Sequence, residues 1–530
     1  MSDKTEPPIL RKDMRIGQAL SSATQKRFLG LTLDDYIHYF FRGNAMVAIL
    51  ILILIMAFLF KEGVEFLPGY KKSLELYRES GMEFVGEARE QLDAHRQVLR
   101  SLQNIEAEAE SVLSEAVLGR IEQVRQQLNA LIEPQTALVD SWTGQTSSMR
   151  DTELENQDLR EAIELWESKG DTEFVAQLES ELKPVNFEGV HQVLRAEFSL
   201  FKEANRQLAS GLEEIVSTPI TLPDRLRGDY ESFLKQVEEF REALPGHVER
   251  MEAWDPQAPV AWHRSVTSFL FGTRWVTNSF WQDFYGILPL FTGSLMISTL
   301  ALAVAVPLAL AAAIYANQIA RPFELNIIKP YIEFITAIPS IVLGFFGIVV
   351  LGSFLQQASG WPVLSWLPGF PMSERLNITT AGLLLALMAI PTIFTLVEDA
   401  LNNVPRQYVE ASYALGATRL QTIFKIMIPA ALSGIIAAIL LGLGRVIGET
   451  MVVLLCAGNR LAIPDFSDGL GAFFQPAHTM TGIIAQEMGE VPHGTLHYRA
   501  LFMVGIVLFL ISLTLNYLAQ FVVRKFRIAE

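Results

Sequence analysis

Residues 288–316 read LPLFTGSLMISTLALAVAVPLALAAAIYA, with no Asp, Glu, Lys or Arg anywhere in the run. A helix of this length, at ~1.5 Å per residue, exceeds the ~30 Å hydrocarbon core of a bilayer, and inside that core a helix satisfies its own backbone N–H and C=O groups. The stretch predicts a membrane span. Five further segments have the same character, at residues 45–60, 331–355, 380–396, 430–456 and 500–523. The first is short but is extended by Tyr39, Phe40 and Phe41. Phe60-Lys61-Glu62-Gly63 offers no small-residue cleavage site, so it reads as an uncleaved anchor. Half of the 530 residues are hydrophobic and the mean hydropathy is +0.28, as expected of a chain that lies partly in lipid.

The net charge of −16 is unevenly distributed. Residues 61–286 carry 23 Lys and Arg against 41 Asp and Glu, or −18, and the remainder is close to neutral at +2. This balance argues against a nucleic-acid partner, which needs basic clusters to displace phosphate counterions. A single cysteine, Cys456, leaves no intrachain disulfide and no cysteine-based zinc site. Basic residues resist translocation when they flank a span in a short loop. With the N-terminus in the cytoplasm, fifteen lie inside: Lys4, Arg11, Lys12, Arg15, Lys26, Arg27 and Arg42, then Arg321 and Lys329, then Arg406, Arg419 and Lys425, and finally Arg524, Lys525 and Arg527. Arg375, Arg460 and Arg499 are the short outer loops' share. Both termini are then cytoplasmic. Trp275, Trp281, Trp361 and Trp366 are expected at the outer lipid interface.

The expected fold is all-α: six transmembrane helices with a large helical, coiled-coil-like external domain inserted after the first. Its parts are a cytoplasmic tail at 1–44, the anchor at 45–60, the external domain at 61–286 and a membrane core at 287–526. In the external region Val117, Ile121, Val124, Leu128 and Leu131 recur at a 4-3-4-3 spacing, a coiled-coil seam. The run from residue 84 to 132, which has no Pro and is interrupted only by Gly86 and Gly119, reads as one helix reaching ~70 Å. Further helices are expected at 154–182, 189–216 and 224–253, together forming an antiparallel bundle whose acidity is a solvated surface.

The loop between the fourth and fifth spans, 404–429, reads Glu410-Ala411-Ser412, then Gly416, then Ile426, Ile428 and Pro429. Residues 404–415 suit a short amphipathic helix, Gly416 permits a turn at positive φ, and 419–426 begins a second helix. The pair makes a rigid knob at the membrane face. This pattern resembles the EAA signature of ABC-importer membrane subunits, with Ser412 for Ala and Ile428 for Leu. Further stretches resemble the C-type permease of the phosphate-specific importers. They are Phe269-Leu270-Phe271-Gly272-Thr273-Arg274-Trp275, Ala337-Ile338-Pro339-Ser340-Ile341-Val342, Glu398-Asp399-Ala400-Leu401, residues 442–451, and Leu496-His497-Tyr498-Arg499-Ala500-Leu501-Phe502. Together they cover roughly 265–525. The resemblance implies inward transport of inorganic phosphate, a second permease subunit, two ATPase subunits coupled through Glu410, Ala411, Gly416 and Pro429, and an external phosphate-binding protein. It does not extend to the acidic helical region, for which docking or spacing of the binding protein is the expectation.

Residues 442–451, Gly-Leu-Gly-Arg-Val-Ile-Gly-Glu-Thr-Met, place Arg445 and Glu449 inside the fifth span. Each costs ~2.5–3.5 kcal/mol at a helix centre, so each needs compensation or a purpose. Four residues apart on one helix they could form an ion pair, with Arg445 the first candidate for an anion pathway and Glu449 its holder. Gly444 and Gly448 permit close helix approach at a subunit interface. Glu333 and Ser340 are further pathway candidates. The chain has no Gly-x-x-x-x-Gly-Lys-Ser/Thr, so the energy for transport comes from a partner chain and the subunit is not itself an enzyme. No cofactor and no metal are called for; His478, His493 and His497 near Asp465, Asp468, Glu487 and Glu490 lack a firm ligand spacing. The alternatives are a permease for another oxyanion, since the EAA loop identifies the machine and not the cargo, and a membrane receptor with an external coiled-coil sensor.

Overall fold

The computed structural model describes residues 33–526 except 110–114, 221, 223, 278, 280 and 365–368. The tail before Leu33, Trp366 and Arg527 therefore lie outside the described residues. Among the described residues, six helical stretches are long and apolar enough to cross a membrane: Ile37–Glu79, Leu288–Ile319, Ser340–Ser359, Ile378–Asn402, Arg419–Ile447 and Leu496–Lys525. The helical domain lies between the first and second spans and the EAA-like loop between the fourth and fifth, so they occupy opposite sides of the membrane, called here the bundle side and the loop side.

The first span, α1 (Leu33–Val64), runs almost directly into α2 (Phe66–Glu79), which leads into the bundle. Gly81, at φ +83°, turns the chain into α3 (Met82–Ala109); α4 (Glu115–Lys169) returns along it, and α6 (Phe187–Ser217) and α7 (Asp224–Glu252) complete four antiparallel helices. The seam is real: Ile121 and Leu128 are fully buried, and Val117, Val124 and Leu131 pack beside them. The single ~70 Å helix is not. Two helices, α3 and α4, take its place and run antiparallel, with the apolar seam of α4 buried against α3 of the same chain. Their antiparallel packing is visible in the 3.1 Å ion pair Arg125–Glu106 and in His95, whose ring Nε2 lies 3.1 Å from the Leu128 carbonyl. Beyond the bundle, α4 overhangs and packs with the short α5 (Thr172–Glu181).

Two apolar clusters fill the bundle, one around Leu102, Leu208 and Phe233 and one around Phe84, Trp142 and Phe201. Between them lies a buried amide layer. The Gln91 Nε2 donates to Gln135 Oε1 at 2.7 Å and to Asn205 Oδ1 at 2.5 Å, and Gln135 Nε2 donates to Asn205 Oδ1 at 3.0 Å. Such a closed set of partners fixes the helix register, since a slip would bury unpaired amides. One turn along α3, burial pushes His95 down to a pKa of about 4. The unfolded chain titrates near ~6.5, so between those values it takes up a proton that the folded bundle refuses. Stability is full above pH ~6.5 and falls by up to ~3 kcal/mol as the pH drops toward 4. Thermal unfolding of the full chain in detergent across this window should show that slope, and His95→Leu should flatten it.

The bundle is fixed to the membrane core by an aromatic cluster. Phe66 stacks on Tyr70 with ring centroids 5.1 Å apart, and both pack against Tyr285, which in turn meets the buried Trp275. They meet α8 (Trp262–Phe271) and a ladder of β1 (Trp275–Val276) with β2 (Phe284–Tyr285), the one strand pair among the described residues. Trp275 and Trp281 are thus packed inside protein and not at the lipid interface, because the ladder and the cation–π contact of Arg89 with Trp281 draw them in; Trp361 is exposed, as an interfacial residue requires.

In the core, α9 (Leu288–Ile314) packs along α13 (Ile378–Asn402). Ala301, Ala305, Ala309 and Ala313 form a fully buried stripe at four-residue spacing, and small residues let the two backbones approach without a water-driven collapse. The third span begins later than expected. α10 (Pro322–Ala337) ends before Pro339, which lacks an N–H and holds Ile338 extended at ψ 122°, and the span is built from α11 (Ser340–Phe346), a π turn and α12 (Gly352–Ser359). Glu333, expected in that span, lies exposed on α10 instead. The fifth span ends earlier: α16 (Ile428–Ile447) stops at Gly448, and the short α17 (Met451–Cys456) starts anew. The last helices are α18 (Met480–Glu487) and α19 (Leu496–Phe526), the sixth span.

Candidate functional site

The loop is two short helices locked at an angle. α14 (Arg406–Ala414) closes with Gly416 at φ +83°, its N–H donating to Tyr413 O at 2.9 Å and that of Ala417 to Ser412 O at 3.1 Å. This paired closure needs a left-handed residue, which glycine supplies without strain. Thr418 then caps α15 (Arg419–Thr422): its N–H donates to Gln421 Oε1 at 2.9 Å and its hydroxyl accepts from Gln421 N at 3.4 Å. Ser412, where the family motif has Ala, joins the two helices through a buried 2.9 Å hydroxyl contact with Thr422. In the sequence Ser412 shows only as a departure from the motif.

The knob carries an open groove of 770 Å³ lined by Tyr408, Ala411, Leu415, Gln421, Lys425 and Pro429. Leu415 is 89% exposed at its tip, with Leu420 and Phe424 exposed nearby and Glu410 in solvent. The knob thus presents an exposed apolar tip on a frame held rigid by the Ser412–Thr422 contact and the Thr418 cap. The Arg419 guanidinium donates to the Gln318 carbonyl at the end of the second span, and Lys329 pairs with Glu398 at 2.7 Å, fastening α10 to α13.

α15 does not end at Thr422. It passes through a π turn, Ile423–Met427, into α16, so residues Arg419–Ile447 form one continuous helix. Arg445 is near its far end, ~39 Å from Arg419. Its Nη1 donates to Thr392 Oγ1 at 2.6 Å, and its side chain is exposed in this chain. Thr392 stands fourteen residues from one end of α13 and ten from the other, ~21 and ~15 Å, so the guanidinium is deep in the membrane.

The expected Arg445–Glu449 ion pair does not form. Gly448 ends the helix between them, and Glu449 turns to the next one: its Oε1 accepts from Met451 N at 3.2 Å and its carbonyl accepts from Thr481 Oγ1 at 2.8 Å. Among the described residues no neighbouring element crowds Gly444 or Gly448: a Cβ at Gly444 would meet nothing within 4 Å, and one at Gly448 only the carbonyls of Gly444 and Arg445 at 3.5 and 3.7 Å. The glycines that bring helices together inside the chain are others: a Cβ at Gly442 would come 2.7 Å from Ile393, and one at Gly382 2.8 Å from Leu300. Their positions on the buried helix faces were the available signal. Ser340 is half-buried in the first turn of α11, apart from Arg445 in sequence and joined to it by no hydrogen bond. His497 pairs with Glu487 at 2.7 Å and His478 lies 3.1 Å from Gln486 Oε1; among the described residues no group of three or more metal-ligating side chains occurs.

The sequence profile of the family "Binding-protein-dependent transport system inner membrane component" matches residues 305–528. The chain is 35% identical over 241 residues to a probable ABC transporter permease protein, YqgH, of Bacillus subtilis, covering 44% of this chain and 72% of that protein. It is 32% identical over 253 residues to the phosphate transport system permease protein PstC of Pasteurella multocida, covering 46% and 77%. Among solved structures, an inward-facing MetNI methionine ABC transporter chain aligns at a TM-score of 0.33 with 18% identity, over 46% of this chain and 94% of that one. With its motif loop, its spans and relatives matched over more than two thirds of their length, the chain belongs to the binding-protein-dependent transport system inner membrane component family.

Proposed function

We propose that this membrane permease subunit carries inorganic phosphate inward, driven by ATP hydrolysis on a partner chain. In this reading the loop side is the cytoplasm, both termini lie there, and the bundle stands outside. Two ATPase subunits engage the knob at Glu410, Ala411, Gly416 and Pro429. A second permease subunit covers the Gly444, Arg445 and Gly448 surface, which a lone chain would leave exposed at membrane depth. An external phosphate-binding protein delivers the cargo, and the bundle docks or spaces it.

The observation that carries this reading is the single helix from Arg419 to Ile447. A push at the knob tilts a rod whose other end holds a fixed positive charge, so movement on the loop side reaches the guanidinium without an intervening joint. A cation held by a neutral threonine, with no carboxylate paired to it among the described residues, suits an anion in transit. The relatives named as phosphate permeases favour phosphate over other oxyanions. Glu449 follows the break, and α11, whose first residue is Ser340, packs against α17 beyond it, where the path would continue toward the bundle side.

Uptake of radiolabelled phosphate by a strain lacking this gene, with and without the gene restored, tests the assignment. Restoration should return uptake that excess sulfate and molybdate leave intact. Unchanged phosphate uptake in the deletion, with another anion's uptake lost, refutes it.

A further inference from the structure

On the loop-side half of α19, Asn516, Gln520 and Arg524 follow one another at four-residue spacing, all exposed. With Ala437 and Leu441 of α16 and Val523 they line a cavity of 220 Å³ between the two helices. Arg499, paired with Glu65 at 2.9 Å, and Lys525 stand at opposite ends of the span, ~39 Å apart along the helix. Asn516 is then ~13 Å in from Lys525, at hydrocarbon depth. Among the described residues, no hydrogen bond satisfies the side chain of Asn516 or Gln520 and no ion pair involves Arg524.

An amide facing acyl chains without a partner is costly, and a guanidinium at the interface recognises a phosphate through two parallel N–H bonds. Ala437 and Leu441, one to two turns nearer the loop side than Gly444 and Arg445 on the same face of α16, supply the apolar wall that an acyl chain needs below such a headgroup, so the lipid would sit at the loop-side edge of the proposed subunit contact. We infer that this groove binds an anionic phospholipid of the cytoplasmic leaflet, its phosphate on Arg524 and its glycerol ester region on Gln520 and Asn516. The lipid would brace α16, the helix that joins the knob to Arg445. The leaflet follows from the orientation proposed above, whereas lipid retention is measured without reference to sidedness, so the two fail separately.

The test uses the assembled transporter, delipidated in detergent, offered phosphatidylglycerol or phosphatidylcholine in nanodiscs and read by native mass spectrometry for retained lipid. The wild type should retain phosphatidylglycerol over phosphatidylcholine. Arg524→Gln should cut that retention about fivefold, as loss of one basic contact at an anionic surface implies, and Arg524→Lys should largely keep it. Leu441→Trp, which fills the groove without altering charge, should abolish retention. Equal retention by the wild type, Arg524→Gln and Leu441→Trp would overturn the inference. So would release of the lipid by inorganic phosphate, which would make the groove part of the cargo path, or a cross-link from position 516 to a partner helix.

Discussion

Replacing Arg445 with Gln lowers ATP-driven phosphate influx about ten- to a hundredfold while the subunit still inserts and assembles. The size follows from losing a charged hydrogen bond to the passing anion, ~1.5–3 kcal/mol, at ~1.4 kcal/mol per decade. Insertion should survive because removing the charge relieves a cost at membrane depth and leaves no buried carboxylate behind, Glu449 being bonded elsewhere. Thr392 separates this role from bulk packing. Thr392→Val keeps the shape but removes the 2.6 Å acceptor and should reduce maximal influx severalfold, whereas Thr392→Ser should restore it. Influx assays on membrane vesicles with matched subunit levels decide the matter. Normal flux in Arg445→Gln would leave the guanidinium a purely structural role.

Substitution of Gly416 by Pro gives the second large effect, on coupling. Proline cannot adopt φ +83° and has no N–H to donate to Tyr413, so the closure of α14 is lost at ~3 kcal/mol or more. Gly416→Ala keeps the N–H and meets no neighbour within 4 Å, leaving only the ~1–2 kcal/mol of left-handed backbone strain. ATP-dependent influx should therefore fall in the order wild type, Ala, Pro, with hydrolysis by the partner ATPase no longer answering to cargo in the Pro variant. Coupled transport at the wild-type level in both variants would remove the knob from the mechanism.

The positions of the membrane helices were legible because apolar length is a property of composition, and the loop was legible because its turn demands Gly416. Two errors had one source. Periodicity ignores local backbone chemistry, so Pro339 and Gly448 went unread as breaks, which displaced Glu333 from its span and separated Glu449 from Arg445. Similarly, a heptad-like run free of Pro cannot tell a long helix from two that pack on each other, and the sequence between α3 and α4 has no Pro or Gly to separate them. The Thr392 partner of Arg445, the Ser412–Thr422 contact and the amide layer at Gln91 depend on pairs far apart in sequence, which one chain without its fold does not disclose.

The central claim is that the knob around Gly416 lies in the cytoplasm and receives the ATPase. Its most direct test is a Leu415→Cys variant probed with a membrane-impermeant maleimide, Leu415 being 89% exposed and the native Cys456 buried. The account predicts no labelling in intact cells, strong labelling in inside-out vesicles, and protection there when the ATPase is bound. Labelling from the outside of intact cells would contradict it.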